Sequence, residues 1–295
     1  SDHTRRRNLE ARATLDPADF DRARRGWIAS IPSGRVVNAS GHAVSEIAAY
    51  EFLRDDAPDT VDPNLWRHAQ LNAHHGLFEV ADGVWQVRGY DISNITFVRG
   101  TEGWIVIDPL TVEHTARAAY DLVSEHLGHR PVTAVIYTHS HADHFGGVLG
   151  VTSDADVAAG RCRVIAPEGF LHETVGENVI AGPIMARRAT YQFGSFLPPG
   201  PRSHVDCGLG NATPIGPPGL IAPTEDITAT GQELIVDGVR IVFQLTPETE
   251  APAEMNFFFP DSGWLCMAEN CSHTMHNLVP IRGALVRNSL QWSKY

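Results

Sequence analysis

The sequence predicts an α/β fold, in which a helix packs against layered β-strands. Apolar runs flank Asp82-Gly83 and residues 100–103, so two hairpins are expected, since Asp-Gly readily takes the positive φ of a tight turn. The apolar period then changes at residues 112–127, which show helical spacing. A buried strand at residues 132–137 follows directly. Strand, helix and strand in this order are typical of an α/β layer.

The composition indicates a folded globular protein. Of its 295 residues, 43% are hydrophobic and 20% are charged. The 23 basic and 35 acidic residues give a net charge of −12, which argues against nucleic acid as a partner because phosphate binding needs a basic face. An anionic small molecule stays open, since one Arg or a metal reverses the local field. No apolar run approaches the roughly 20 residues of a membrane span, so none is predicted.

The first 75 residues are predicted to form an N-terminal arm with a helix in it. That helix is expected over residues 16–31, where Phe20 and Trp27 lie on the apolar face. The rest of the arm is rich in Gly, Ser and Asp. We therefore place the arm at residues 1–75 and the main domain at residues 76–295.

Two further hairpins are expected in the second half of the main domain, at residues 234–245 and 257–267. They predict a second, mainly antiparallel sheet that faces the first. Before them, residues 194–219 are rich in Gly and Pro, and loops of this length inside a compact domain are commonly lids or binding loops. A disordered linker is the alternative interpretation.

The last stretch of the chain, residues 278–295, has Ile281, Leu285 and Trp292 at helical spacing. No Gly, Asn or Pro stop signal follows before Tyr295. We therefore expect the main domain to be incomplete at its C-terminus.

The four cysteines have no C-x-x-C spacing, which argues against a zinc-ribbon or thioredoxin-type site. Cys266 and Cys271 are close enough in sequence to be metal ligands or a disulfide. Buried, unreactive thiols are the preferred interpretation.

A cluster of ligand-type side chains follows the buried strand at residues 132–137. His139, His141, Asp143 and His144 occupy six positions, and packing them together without a cation would leave polar groups repelling or unsatisfied. Imidazole and carboxylate ligands without thiolate fit zinc best, with iron or manganese as alternatives. Two cations about 3.5–4 Å apart would activate water, so the cluster predicts a hydrolase.

The remaining ligands are expected at the ends of later strands. Glu248, Glu250 and Glu254 follow the strand that ends at Leu245, and residue spacing alone leaves the choice among them open. Glu269 follows the strand at residues 264–267 in the same way.

The spacing of the His cluster resembles that of the metallo-β-lactamase fold superfamily. Four longer runs, which begin at Gly76, Arg88, Thr249 and Ala268, resemble the alkyl sulfatases, the branch that hydrolyses dodecyl sulfate. The resemblance covers about residues 19–295. It implies an αββα sandwich with an N-terminal helical arm, and hydrolysis of alkyl sulfate esters to an alcohol and sulfate.

The resemblance also implies roles for individual residues. Two Zn²⁺ ions are expected, the first held by His139, His141 and Glu250, the second by Asp143 and His144, with Glu269 bridging. The sulfate group is expected to be held by Asn277, Arg282 and Arg287, since the planar guanidinium pairs with two oxygens of an anion. Glu248 departs from the family pattern, which has Gly there, and this is expected to strain the turn.

In this family the last ligand of the second zinc and a general acid follow further along the chain. The resemblance further implies a homodimer for the full-length protein and a periplasmic or secreted location. Two other interpretations stay open, namely an ester or thioester hydrolase of the same fold and a zinc-binding fragment without catalytic activity.

Overall fold

The computed structural model describes residues 1–11, 18–272 and 277–295. The strands are β1 (Trp27–Ala29), β2 (Arg35–Val37), β3 (Ala43–Glu46), β4 (Gly76–Ala81), β5 (Val84–Arg88), β6 (Ile95–Arg99), β7 (Trp104–Ile107), β8 (Val132–Ile136), β9 (Arg163–Pro167), β10 (Glu225–Ile227), β11 (Glu233–Val236), β12 (Val239–Leu245), β13 (Met255–Phe259) and β14 (Trp264–Cys266). The helices are α1 (Asp2–Ala11), α2 (Ala18–Arg24), α3 (Pro63–Asn72), α4 (Glu113–Leu127), α5 (Asp154–Ala158), α6 (Phe170–Val175), α7 (Gly182–Phe193) and α8 (Ser289–Trp292).

The larger sheet has eight strands in the order β1-β4-β5-β6-β7-β8-β9-β10. Neighbours from β1 to β7 are antiparallel, and both predicted hairpins, β4–β5 and β6–β7, are confirmed. β8, β9 and β10 run parallel to β7. The predicted helix, α4, connects β7 to β8 and is followed by Gly128, whose φ of +90° suits a residue without a side chain.

The smaller sheet is antiparallel, in the order β11-β12-β13-β14, as the sequence predicts. A buried core lies between the sheets, with Ile105 and Ile136 from the larger sheet against Phe243 and Phe257 from the smaller one. A second core packs α4 on the other face of the larger sheet. The α/β fold class is therefore confirmed. Ile235 and Leu265, on the outer face of the smaller sheet, are exposed.

The predicted helix at residues 16–31 is wrong in its second half. Within its described part, α2 ends at Arg24, and Trp27 lies in β1, which pairs with β4. Gly26 is the cause, because its φ is +76° and a Cβ at this position would lie 2.0 Å from the carbonyl oxygen of Glu79. The arm thus supplies an edge strand to the larger sheet, and the boundary at residues 75/76 stays a prediction.

The loop at residues 194–219 lies over the arm. His204 Nδ1 is 2.7 Å from the Tyr50 hydroxyl, and Asn72 donates to the Asp206 carboxylate at 3.1 Å. The backbone N–H of Ile215 also donates to a β3 carbonyl. These contacts oppose the linker interpretation, because they are buried or partly buried and lie far apart in sequence.

The helical face expected over residues 278–295 is wrong for most of its length, because within this stretch only Ser289–Trp292 is helical. Pro280 and Gly283, with φ +101° at the latter, do not suit a helix interior. The N–H of Arg287 instead donates to the carbonyl oxygen of Leu278 at 2.9 Å, which closes a loop.

The four cysteines are free thiols. Burial raises the pKa of Cys266 to about 12, as expected of an unreactive thiol. Cys271 is exposed, so its predicted burial is wrong. Within the described ranges, no helix has the length and apolar character needed to cross a bilayer.

Candidate metal centre

The His cluster lies where β7 and β8 end at the same edge of the larger sheet. His139 is fully buried just beyond β8, and a short 3₁₀ turn, Ala142–His144, follows it. The turn brings the His144 ring to 4.0 Å from the His139 ring, and the His141 ring lies 4.9 Å from His139 on another side. The motif therefore brings the His141 and His144 rings close to the His139 ring, which shares a different group of possible metal ligands with each of them.

Glu250 reaches the histidines from the smaller sheet, on the loop between β12 and β13. The backbone there is joined to the motif, since the N–H of Met255 donates to the Thr138 carbonyl at 3.0 Å. Glu250 Oε2 lies 2.8 Å from His141 Nδ1 and 3.3 Å from His139 Nε2. The two sheets thus jointly form the site.

Glu269 lies between the two halves of the cluster, shortly after β14. Its Oε2 is 3.7 Å from His139 Nε2 and 3.5 Å from His144 Nε2. Asp143 Oδ2 is 3.3 Å from the same His144 nitrogen. One carboxylate therefore faces both the His139 side and the His144 side.

All six side chains predicted as metal ligands come together. Their ligand atoms form one group of His139, His141, Glu250 and Glu269 and another of Asp143, His144 and Glu269. Within each group these atoms lie within 4.8 Å of one another.

The residues present fit a cation. Nε2 of His139 and Nε2 of His144 are buried and form no hydrogen bond with any described residue. Leaving a buried polar atom unsatisfied costs about 1–3 kcal/mol, and a metal ion would satisfy both nitrogens. Imidazole nitrogen with carboxylate oxygen is a donor set for zinc, iron or manganese.

The surroundings set the protonation of the histidines. Burial, together with His144, lowers the pKa of His139 well below its usual range. Burial also opposes a charge on His144, but the Asp143 carboxylate and its neighbours outweigh it and raise the pKa of His144 well above its usual range. Burial of His141 is similarly outweighed by Glu250, so that its pKa is raised. A cation bound here would displace protons, which makes metal affinity rise with pH.

The three glutamates between β12 and β13 have different environments in the structure. Glu248 is exposed, and its carboxylate accepts from Asn288 at 3.1 Å. Its φ of +64° bears out the expected strain at this turn. Glu254 is buried and accepts from the N–H of Ala251 at 2.7 Å, and burial and the nearby Glu250 raise its pKa well above the usual range. Only Glu250 of the three belongs to a candidate metal group within the described ranges.

Asp108 is a site residue that the sequence analysis missed. It follows β7 and is buried, and its Oδ2 lies 2.8 Å from His144 Nδ1 and accepts from the Thr138 hydroxyl at 2.8 Å. A carboxylate on one ring nitrogen leaves the other, Nε2, to face a metal. Its position at the end of a strand beside β8 is the same signal that indicated His139, and it could have identified Asp108.

The three residues predicted to hold sulfate take different positions. Arg282 Nη2 donates to Glu177 Oε1 at 3.1 Å, and Glu177 Oε2 in turn lies 3.8 Å from His141 Nε2. Asn277 is exposed. Arg287 is buried against Glu250 and Asn277. Glu177, in a π-helical turn, has no sequence signal that would have identified it.

A cavity of about 380 Å³ opens at the second half of the cluster, beside His144 and Glu269. Its apolar lining includes Ile92, Ile107 and Leu209. Leu209 comes from the loop at residues 194–219, in agreement with the expectation of a binding loop. The cavity therefore joins ligand-type side chains to an apolar wall.

Comparison with known proteins agrees with this geometry. A family model described as the metallo-beta-lactamase superfamily matches residues 88–265. The chain is 46% identical over 296 residues to the alkyl/aryl-sulfatase BDS1 of Saccharomyces cerevisiae, which covers 99% of this chain and 46% of the relative. It is also 46% identical over 297 residues to an (R)-specific secondary-alkylsulfatase of Pseudomonas sp., covering 99% of this chain and 45% of the relative.

A solved structure, that of the stereoselective inverting sec-alkylsulfatase Pisa1 from Pseudomonas sp., superposes with a TM-score of 0.96 at 45% identity. The match covers 100% of this chain and 47% of that one. The chain thus spans about half the length of the relatives that it matches. With the family profile covering residues 88–265 and the centre assembled within the fold, the chain belongs to the metallo-beta-lactamase superfamily.

Proposed function

We propose that the protein hydrolyses alkyl sulfate esters, such as dodecyl sulfate, to an alcohol and inorganic sulfate in a metal-dependent reaction. The observation that carries the proposal is the pair of ligand groups that share Glu269. Identity of 46% to named alkylsulfatases supports the substrate class. The homodimer and the periplasmic or secreted location belong to the same proposal, as expectations from the family.

The metals proposed are two Zn²⁺ ions. His139, His141 and Glu250 would hold the first and Asp143 and His144 the second, with Glu269 between them. When bound, the ions would supply Lewis acidity and an activated water at neutral pH. The carboxylates of Glu250 and Glu269 would act as ligands, and neither would serve as acid or base.

The chain's own residues bind and orient the ester. Arg282 pairs with Glu177 in the structure, and we propose that its guanidinium exchanges this carboxylate for the sulfate group. Asn277 adds a neutral donor, and Arg282 stabilises the departing anion by a charge-assisted hydrogen bond. The apolar wall of the cavity, with Ile92 and Leu209, receives the alkyl chain.

The test is product analysis with dodecyl sulfate. The zinc-loaded protein is expected to release dodecanol and sulfate in equal amounts, and a chelator is expected to stop the release. In ¹⁸O-water, label in dodecanol means C–O cleavage, and label in sulfate means S–O cleavage. Absence of release with two zinc ions bound would refute the assignment.

The Arg282→Ala variant discriminates between ester classes. Loss of the guanidinium is expected to weaken sulfate-ester turnover about 100-fold or more, in the range of a lost charge-assisted contact. A carboxylate ester or thioester hydrolase of the same fold would keep its activity on neutral esters in that variant. Arg202→Ala, on the surface loop, is the matched control and is expected to leave turnover unchanged.

A further inference from the structure

Arg287 lies at the junction of the metal centre and the segment that carries Asn277 and Arg282. Only 3% of its side chain is exposed, compared with 16% of that of Arg282. Its Nε donates to the Glu250 carbonyl at 2.7 Å, and its Nη2 donates to Glu250 Oε1. Its Nη1 donates to the carbonyl oxygen of Asn277 at 2.7 Å and to Oδ1 of the same residue at 2.8 Å.

We propose that Arg287 is a positioning residue that fixes both a metal ligand and an anion-binding side chain, in place of the direct sulfate contact that the family resemblance implies. Every nitrogen of its guanidinium donates to Glu250 or Asn277. Four of its five N–H groups are used in this way, and the side chain is almost fully buried, so it has little left to offer sulfate directly. The inference rests on the proposed metal centre, but its test needs no turnover of substrate.

Arg287 orients Glu250 because the two oxygens of the Glu250 carboxylate have different partners. Oε1 accepts from Arg287, while Oε2 faces His139 and His141 at 3.3 and 2.8 Å. The hydrogen bond from Arg287 Nε to the Glu250 carbonyl oxygen fixes the backbone of the same residue. The carboxylate is therefore held so that one defined oxygen faces the imidazoles, and residues that orient metal ligands in this way strongly affect metal affinity.

The effect on Asn277 follows from the chemistry of an amide. Because Oδ1 accepts from Arg287, the other end of the side chain is Nδ2, a donor of two hydrogen bonds. Sulfate oxygens are acceptors only. Arg287 thus selects the amide orientation that suits an anion, and it fixes the Asn277 backbone as well.

Arg287 also closes the loop that contains Arg282. Its own N–H donates to the Leu278 carbonyl at 2.9 Å, and the next residue, Asn288, donates to the Glu248 carbonyl at 3.0 Å. The loop that bears the proposed anion-binding residues is therefore tied to the loop that bears the ligand Glu250. A guanidinium suits this task because it has five donors in a rigid plane, whereas the ammonium of a lysine is a point charge.

The experiment compares Arg287→Lys and Arg287→Gln with Arg282→Lys and Arg282→Gln. Zinc affinity is measured by competition with a chromophoric chelator, without substrate, and inorganic sulfate binding to the zinc-loaded protein is measured by calorimetry. We expect both Arg287 variants to lose zinc affinity by about 10- to 100-fold. The Arg282 variants are expected to keep zinc affinity within about 3-fold while sulfate binding weakens.

The cobalt-loaded protein adds a spectroscopic signature. Arg287→Lys is expected to shift the visible absorption of cobalt at the His139, His141 and Glu250 group, and Arg282→Lys is expected to leave it unchanged. An Arg287→Lys protein with the zinc affinity and cobalt spectrum of the parent, but with weaker sulfate binding, would overturn the proposal. Failure of dodecyl sulfate hydrolysis alone would refute the proposed function and leave these metal measurements standing.

Discussion

Replacement of Asp108 by Asn tests how the second half of the cluster is held. Asp108 Oδ1 accepts from the Thr138 N–H at 2.8 Å, and Oδ2 lies 2.8 Å from His144 Nδ1. The amide of Asn can keep only one of these acceptors. If its oxygen stays on Thr138, its NH₂ faces His144 and favours the tautomer with hydrogen on Nε2. That tautomer cannot offer Nε2 to a metal.

The expected magnitude is a loss of about 10- to 100-fold in metal affinity, the range for removal of a residue that orients a ligand. This equals about 1.4–2.7 kcal/mol at 25 °C. The loss should fall mainly on the binding step that involves His144, because Asp108 Oδ2 is the acceptor that faces His144 Nδ1. Asp143→Asn, which alters a proposed ligand of the same half, should affect the same step.

The assay is a zinc titration against a chromophoric chelator, resolved into two steps. Asp237→Asn is the matched control, because Asp237 accepts from the Gly103 N–H at 2.8 Å and from the Thr133 hydroxyl but belongs to none of the candidate metal groups. It should lower the free energy of unfolding without changing metal affinity. Equal zinc affinities in Asp108→Asn and the parent would refute the reasoning about the His144 tautomer.

Three further predictions concern other parts of the site. Burial and Glu250 raise the pKa of Glu254. Above pH 4.5 the folded metal-free protein therefore keeps a proton that the unfolded chain releases. The free energy of unfolding then falls by about 1.4 kcal/mol for each pH unit until Glu254 ionises in the folded protein. Glu254→Gln should remove this pH dependence when the free energy of unfolding of chelator-treated protein is measured in urea at several pH values. The same pH dependence in the variant and in the parent would argue against this role of Glu254. Near pH 8 a thiol reagent should modify the exposed Cys271 faster than the partly buried Cys266, whose pKa is raised to about 12, and equal rates at the two thiols would contradict this. Glu177→Gln should weaken zinc binding several-fold, since its carboxylate faces His141 Nε2 at 3.8 Å, and unchanged binding would exclude that role.

The regular elements of the fold were predictable because their apolar periods are unbroken. The hairpins and α4 follow directly from alternation, from helical spacing and from the turn at Asp82-Gly83. The helix at residues 16–31 was overextended because spacing alone does not reveal that Gly26 meets the Glu79 carbonyl. A tertiary contact decides that boundary, and no local pattern contains it.

The site residues that could be predicted from the sequence are those that come shortly after a strand. His139 and Glu269 come shortly after apolar strands, and Asp108 could have been found by the same rule. Glu177 lies in a π-helical turn and Arg287 lies in a loop, and their partners are distant in sequence, so that no period or spacing indicates them. Arg287 illustrates the difference well, because its residue type suggests anion binding while its burial places it on a metal ligand.

The metal content of the folded chain tests the account most directly. The protein is refolded or purified in the presence of zinc, freed of loosely bound ions by gel filtration, and analysed for metal and protein together. The account predicts about two zinc ions per chain, removed by a chelator and restored on addition of zinc. One ion or none per folded chain of the full-length protein would contradict a two-metal centre built around His139, His141, Asp143, His144, Glu250 and Glu269.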